Sequence, residues 1–226
     1  MNTLTIRLTS AACILVTCGV VHADVTYSVD FGQLTNSEST PLPAGALWAL
    51  IGQDSLGSLP GGLSANDGLS SDPNLSLISA EFAGSIIETG EIIGGGRVLA
   101  TGPIDGDGFV SDTASSIDFE GLGLNVNDRF GFYWFPDLTE ISNVLPQDSP
   151  FEIGGFQQDS VSEDSGGNIG MQVPASGNYA LAYYDSSVTG GATPYDPILF
   201  RSVVIPETSS VLLAFAGCLL MMRRRR

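Results

Sequence analysis

The chain has 226 residues, of which 25 are acidic and eight are basic, giving a formal net charge of −17 at pH 7. This acidic balance repels nucleic acid and anionic lipid headgroups, so nucleic-acid binding is excluded. All eight basic residues are arginines. Without lysine, Schiff-base chemistry and a P-loop phosphate site are excluded as well.

The amino-terminal residues 1–23 have the pattern of a secretory signal peptide. Arg7 supplies a positive charge, residues 11–21 form an apolar stretch, and the sequence Val-His-Ala ends at Ala23 with the small-residue spacing that signal peptidase requires. We therefore predict export, with signal peptidase cleaving between Ala23 and Asp24.

The cysteines offer an alternative processing route but no chemistry for the mature body, residues 24–204. Cys18 follows Leu-Val-Thr, which resembles a lipobox, although threonine fits poorly before the modified cysteine. The other two cysteines, Cys13 and Cys218, and the single histidine, His22, also lie in the terminal segments. The body therefore lacks the imidazole and thiol groups that Ser-His-Asp catalysis, Cys-His catalysis and most zinc sites require.

The body is strongly acidic and has the size of one domain with its own core. All 25 acidic residues except Glu207 lie in it, together with only three arginines, so it carries 24 negative and 3 positive charges, a formal net charge of −21. The missing residue types predict a non-enzymatic protein. Only carboxylate chemistry would be available to it, as in glycosidases or calcium sites.

The pattern of side chains predicts an all-β body. Residues 25–31 alternate apolar and polar side chains, as half-buried strands do, and residues 46–51 form an almost continuous apolar run typical of a core strand. Residues 75–93 are interrupted by two glycines, so we expect strands with at most one helical turn. Further strands are predicted at residues 97–100, 116–120, 129–135, 178–185 and 198–204. Short strands separated by Gly and Pro predict a sandwich or jelly roll.

The strand predicted at residues 129–135 carries the densest group of aromatic side chains: Phe130, Phe132, Tyr133, Trp134 and Phe135. These rings can form a core strand buried on both faces, or an exposed platform on which sugar rings stack. We favour the core strand, because aromatic side chains bury large areas there. The platform would instead support a carbohydrate-binding module or a carbohydrate-active enzyme.

An acidic, glycine-containing stretch is the candidate calcium site. Asp105, Asp107 and Asp112 can offer the carboxylate oxygens that calcium prefers. The match to an EF-hand loop is partial, because Ser116 stands at the twelfth position, where an acidic ligand is needed, and Phe109 stands at the fifth. An ordinary Asp-Gly turn is the alternative that we favour. No other cofactor is predicted.

The carboxyl-terminal residues 205–226 combine three parts. Pro206, Glu207 and Thr208 precede an uncharged apolar segment at 209–222, and the chain ends in Arg223, Arg224, Arg225 and Arg226. As a helix, the apolar segment would be about 21 Å long, shorter than the roughly 30 Å hydrocarbon core, so the arginine stems would extend its reach. The terminal positive charge predicts a cytoplasmic carboxyl terminus and an exported body.

These three parts resemble the PEP-CTERM sorting signal of Gram-negative bacteria. Pro206 and Glu207 match the first two motif positions, and Thr208 replaces the usual second proline. The resemblance covers only residues 205–226 and implies nothing about the activity of the body. It implies that an exosortase, a membrane transpeptidase, recognises and cuts the tail after export. The protein would be anchored transiently in the inner membrane and then reach the cell surface or the medium.

Two functions and one variant stay open. The first is a non-enzymatic cell-surface or extracellular-matrix protein, retained near extracellular polysaccharide after its tail is processed. The second is a secreted carbohydrate-binding module or carbohydrate-active enzyme. The variant is a permanently anchored single-span surface protein, which differs from the first function only in keeping its tail.

Overall fold

The computed structural model describes residues 25–64, 67–69, 73–158, 170–174, 177–183 and 201–206. Its strands are β1 (Val25–Phe31), β2 (Leu47–Gly52), β3 (Asp67–Gly68), β4 (Ile92–Ile93), β5 (Gly96–Pro103), β6 (Val110–Ile117), β7 (Phe130–Phe135), β8 (Phe151–Gln157), β9 (Gly177–Tyr183) and β10 (Val203–Ile205). The described residues also contain one α-helix, α1 (Leu75–Phe82). The strands form two curled, mainly antiparallel sheets, which confirms the predicted β-rich class.

The larger sheet is built around β2 and β7. It has seven strands in the order β10-β8-β7-β2-β5-β4, with β3 paired to β8. Every residue of β2 and β7 is buried, and the two strands pair antiparallel with Trp48 opposite Trp134. Because both faces of these strands are covered, their sequences are almost continuously apolar. The core-strand predictions for residues 46–51 and 129–135 are therefore confirmed.

The smaller sheet covers one face of the larger one. Its order is β6-β1-β9, with β1 antiparallel to β6 and parallel to β9. Alternate residues of β1 are buried, which confirms its predicted two-residue period. The ring of Phe31 stacks on Phe132 of the larger sheet with centroids 3.8 Å apart, and Tyr27 meets Phe130 edge-on at 5.5 Å.

Helix α1 covers part of the opposite face, where the sequence predicts strands. The prediction of strands with at most one helical turn is wrong for α1. Asn74 caps the helix by accepting a hydrogen bond from the Leu77 N–H at 3.1 Å. Ile78 and Phe82, four residues apart, share its buried face, and the Phe82 ring lies 5.8 Å from that of Tyr133. This tertiary contact outweighs the nearby glycines that lowered the helix signal.

Two further predictions are corrected by the strand positions. The strand predicted at residues 116–120 ends at Ile117, since β6 begins at Val110 and turns follow it. Strand β8 is absent from the predictions because its central Gly154 and Gly155 resemble a turn. In the fold they leave room for the side chains of Trp134 and Leu69, which lie against them.

Strand β10 lies at one edge of the larger sheet. It pairs antiparallel with β8, placing Ile205 opposite Phe151, and Ile205 is completely buried. Ile205, which the sequence assigns to the tail, is therefore the last residue of a strand of the body. The strand predicted at 198–204 overlaps β10, and its residues 198–200 lie outside the described residues.

Candidate functional site

The junction between the body and the predicted sorting motif begins at the end of β10. Pro206 follows the buried Ile205 directly and is itself partly buried. The other predicted sorting and processing residues lie outside the described residues: Ala23, Asp24, Glu207, Thr208, Arg223, Arg224, Arg225 and Arg226. The motif therefore starts one residue beyond a strand that is part of the folded sheet.

A carboxylate on β8 joins this junction to the loop after β1. Glu152 accepts hydrogen bonds from the backbone N–H of Ser37 at 3.1 Å, from the Ser37 hydroxyl at 2.6 Å and from the Ser202 hydroxyl at 2.8 Å. Bonds to an ionised acceptor are stronger than bonds between neutral groups. Because Ser202 directly precedes β10, these bonds hold the start of that strand.

Arg201 adds a second connection at the same place. Its guanidinium donates a hydrogen bond to the carbonyl oxygen of Ser37. The backbone N–H of Ser202 also donates to the Thr35 carbonyl at 3.0 Å, and Arg201 forms a parallel bridge with Thr35. The segment that leads into the predicted sorting motif is thus bound to the body by side-chain and backbone contacts.

The candidate calcium residues take three different positions. Asp105 accepts a hydrogen bond from the Ser111 N–H at 3.1 Å, and Asp107 is exposed in a short turn with φ of 62°. Asp112 lies on β6 with its carboxylate against Gly102 of β5. Throughout the described ranges, no group of three or more His, Cys, Asp or Glu residues is positioned to hold a metal ion.

The aromatic residues of β7 form core contacts. All five are completely buried: Phe130, Phe132, Tyr133, Trp134 and Phe135. They pack against both neighbouring layers, as Phe31 and Phe82 illustrate. The alternative of an exposed carbohydrate-stacking platform is therefore wrong for these residues.

Glu81 on α1 is the carboxylate whose surroundings change its acidity. Burial raises the pKa of Glu81 above the usual glutamate value; a hydrogen bond from the Gly61 N–H opposes this rise, and the negative charge of Asp54 adds to it. The completely buried Tyr133 donates a hydrogen bond to the Pro60 carbonyl at 2.8 Å. Burial, with a smaller contribution from Glu81, raises the pKa of Tyr133 well above that of a free phenol. The Glu81 bond holds the turn Pro60–Gly62 against α1 and the Tyr133 bond holds it against β7, so both bonds are structural.

The Glu152 network has no signal in the sequence. Ser37 and Glu152 are 115 positions apart, and Glu152 and Ser202 are 50 positions apart, so no local spacing signals their contact. The register of β10 on β8 brings Ser202 to Glu152, and the contacts of Thr35 and Ser37 with Arg201 bring the loop after β1 to the same place.

Comparison with known proteins adds no relative: no family model, curated protein or solved structure matches this chain. Within the residues that the structure describes, no helix has the length and hydropathy needed to cross a membrane. The predicted tail helix at 209–222 lies outside those residues.

Proposed function

We propose that this protein is a non-enzymatic cell-surface or extracellular-matrix protein, exported by its signal peptide and sorted through its carboxyl-terminal tail. The observation that carries the proposal is the position of Pro206, directly after the last residue of β10. A folded body that ends where a sorting motif begins can be delivered intact when the tail is cut. The body then keeps its edge strand and the Glu152 contacts.

The proposed partners follow from the two terminal segments. Signal peptidase would cut between Ala23 and Asp24, and an exosortase-type transpeptidase would act at Pro206 and Glu207. Before that second cut, the helix at 209–222 would anchor the protein in the inner membrane with its arginines on the cytoplasmic side. The acidic body would then reach the cell surface or the medium, close to extracellular polysaccharide.

We assign the body to the sandwich class of all-β folds. Ring contacts between β1 and β7 support this assignment, since they place side chains of the two sheets in one core. The parallel pairing of β1 with β9 differs from the antiparallel arrangement of a jelly roll. We therefore prefer the sandwich to the jelly roll.

The absence of catalytic residue types supports a non-enzymatic role. His22 and all three cysteines lie in the segments predicted to be removed, and the chain has no lysine. The carboxylate with the raised pKa, Glu81, bonds a backbone N–H of the neighbouring turn. The proposed function requires no cofactor, and calcium would be an addition to it.

The experiment is to express the full chain, a variant with Arg223, Arg224, Arg225 and Arg226 changed to alanine, and a chain ending at Ile205. Each is located by fractionation into membrane, surface and medium, and its intact mass is measured. We expect the full chain to be recovered from Asp24 to about Pro206–Glu207, and the two altered chains to be distributed differently. Identical distributions of all three chains contradict sorting by the tail.

The same mass measurement distinguishes processing from permanent anchoring. A surface protein that still carries Arg226 supports the anchored single-span variant, because the tail is then a lasting membrane segment. An export control with the segment 1–23 deleted should stay in the cytoplasm. If this control is exported as well, the signal-peptide prediction is wrong.

A further inference from the structure

A groove of about 390 Å³ opens on the surface where three loops meet. It lies between the segment after β2, the β4–β5 hairpin and the loop before β7. Its lining residues are Gln53, Asp54, Ser55, Ile92, Gly95, Arg97, Leu122, Gly123, Leu124, Asn125 and Asp128. Its volume is within the range of small-ligand sites, roughly 300–1,000 Å³.

The walls of the groove are held in place by backbone contacts. The Gln53 N–H donates to the Arg129 carbonyl at 2.9 Å, and the Gln53 side-chain oxygen accepts from the Arg129 N–H at 2.9 Å. Asp54 accepts from the N–H groups of Leu56 and Ser58, both at 2.8 Å. Asp128 accepts from the Asn125 N–H at 2.7 Å. The groove is therefore preformed, which lowers the entropy cost of binding a ligand.

Glycines allow the loops to come this close. A Cβ atom at Gly52 would lie 2.6 Å from Leu124, and one at Gly95 would lie 3.0 Å from the Cβ of Asp54. Larger residues at either position would push the walls apart. The glycines thus have a specific packing role at this groove.

Hydrogen-bond donors and hydrogen-bond acceptors both line the groove, and they are not bonded to each other. Among the described residues, the Arg97 guanidinium bonds only the Gly90 carbonyl, at 2.6 Å, which leaves further guanidinium N–H donors. The Gln53 amide nitrogen is a second donor, since only its oxygen is used by Arg129. Asp54 and Asp128 each bond through one carboxylate oxygen, which leaves the other oxygen as an acceptor.

Aliphatic surface completes the lining. The side chain of Ile92 is 58% exposed, and Leu122, which is partly buried, also lines the groove. A ligand that suits this surface has an apolar face and several hydroxyl groups, each of which both donates and accepts hydrogen bonds. Sugar rings have this combination of C–H faces and neighbouring hydroxyls.

The charges in the groove argue against an anionic ligand. Two carboxylates against one guanidinium, on a body with a net charge of −21, disfavour an anion. The two carboxylates attract a cation and the guanidinium repels it, and both carboxylates already accept backbone N–H bonds, so a cation is tested below as the competing ligand. We propose that the groove binds a neutral saccharide, which makes it the site through which the protein contacts extracellular polysaccharide. The choice of an extracellular ligand rests on the function proposed above, while the site itself rests on the groove.

The test is calorimetric titration of the full chain in detergent micelles with neutral tetrasaccharides of glucose and mannose in several linkages. Tetragalacturonate and spermidine are the anionic and cationic comparators. We expect at least one neutral tetrasaccharide to bind with a Kd of about 1 mM or tighter. Binding of spermidine alone would show a cation site, and binding of no neutral tetrasaccharide would overturn the proposal.

Two variants locate the binding. Arg97→Gln should weaken it about tenfold or more, because a charged donor is lost, and Ile92→Ala should weaken it about threefold, because apolar contact is lost. Ile92→Ala keeps the test decisive if Arg97→Gln fails to fold, since Ile92 is exposed. The matched control is Ile141→Ala, which removes a 98% exposed side chain outside the groove and should leave Kd unchanged. If Ile92→Ala and folded Arg97→Gln both bind with unchanged Kd, the saccharide binds outside this groove.

Failure of this proposal and failure of the sorting proposal are distinguishable. Binding is measured on purified protein and does not depend on the tail, whereas fractionation does not depend on the groove. If the protein binds saccharide but its distribution between membrane, surface and medium does not change on tail truncation, only the groove proposal is supported. A protein that is sorted but binds no saccharide supports the tail alone.

Discussion

Trp134 on β7 lies directly over Gly154 on β8, its register partner: a Cβ atom at position 154 would be 1.9 Å from an indole carbon. No residue larger than glycine fits at position 154 without moving Trp134, which is completely buried. The pairing of β7 with β8 therefore depends on this glycine. Because β10 pairs with β8, the position of β10 depends on it as well.

Gly154→Ala is expected to lower the free energy of unfolding by about 3 kcal/mol or more, because overpacking a dense core forces side chains and backbone to shift. Chemical denaturation monitored by tryptophan fluorescence measures the loss. The matched control is Gly106→Ala, because a Cβ atom there meets nothing within 4 Å. This control should change the free energy of unfolding by less than about 1 kcal/mol. Equal stability of the two variants contradicts the packing of Trp134 on β8.

Glu152→Ala is expected to destabilise the protein by about 2 kcal/mol, because three hydrogen bonds to one carboxylate are lost. The effect should be largest at the carboxyl-terminal edge, so the amide protons of β10 should exchange faster. Hydrogen exchange detected by mass spectrometry measures this. Glu38→Ala is the control, since Glu38 is an exposed residue next to Ser37, and its effect should stay within about 0.5 kcal/mol. Unchanged β10 protection in Glu152→Ala contradicts the role of this network.

The raised pKa of Glu81 predicts a pH-dependent loss of stability. The folded protein binds the Glu81 proton more tightly than the unfolded chain does. The free energy of unfolding therefore falls as the pH rises from the ordinary glutamate pKa, about 4.3, through the folded-state pKa. Glu81→Gln removes the charge and keeps an oxygen to accept the Gly61 N–H bond. It should raise Tm relative to the unchanged protein at about pH 8 and lose this advantage at about pH 4.

Thermal scans across this pH range test the prediction. Glu88→Gln is the matched control, because it removes the charge of an exposed glutamate. If the Tm of Glu81→Gln differs from that of the unchanged protein by the same amount at every pH, burial does not raise the pKa of Glu81.

Calcium is expected to leave the stability of the described body unchanged, because Asp105, Asp107 and Asp112 are not gathered around one point. Thermal scans with millimolar calcium and with EDTA should give Tm values within about 1 °C of each other, since only a ligand that binds the folded state raises Tm. Asp107→Ala, which changes one of the two exposed members of the three, should behave in the same way. A Tm increase with calcium that Asp107→Ala removes would restore the calcium site.

The core of the larger sheet could be predicted from the sequence, because its signal is local. A strand buried on both faces must be apolar at nearly every position, so residues 47–52 and 130–135 stand out in any window. The same holds for β1, where alternate residues face the core. Helix α1 could not be predicted, because its eight residues have a weak periodic signal and gain their stability from the contact of Phe82 with Tyr133 and Phe135.

The sequence by itself determined the acidic, imidazole-free chemistry of the body, the strands at its centre and the resemblance of its tail to a sorting signal, because composition and short periodic patterns need no tertiary contact. Only the tertiary structure decided that Glu152 meets Ser37 and Ser202, and that Gln53, Arg97 and Asp128 line one groove. Each of these contacts joins residues far apart in the chain. Their meeting depends on strand register and loop packing, which short sequence windows do not record.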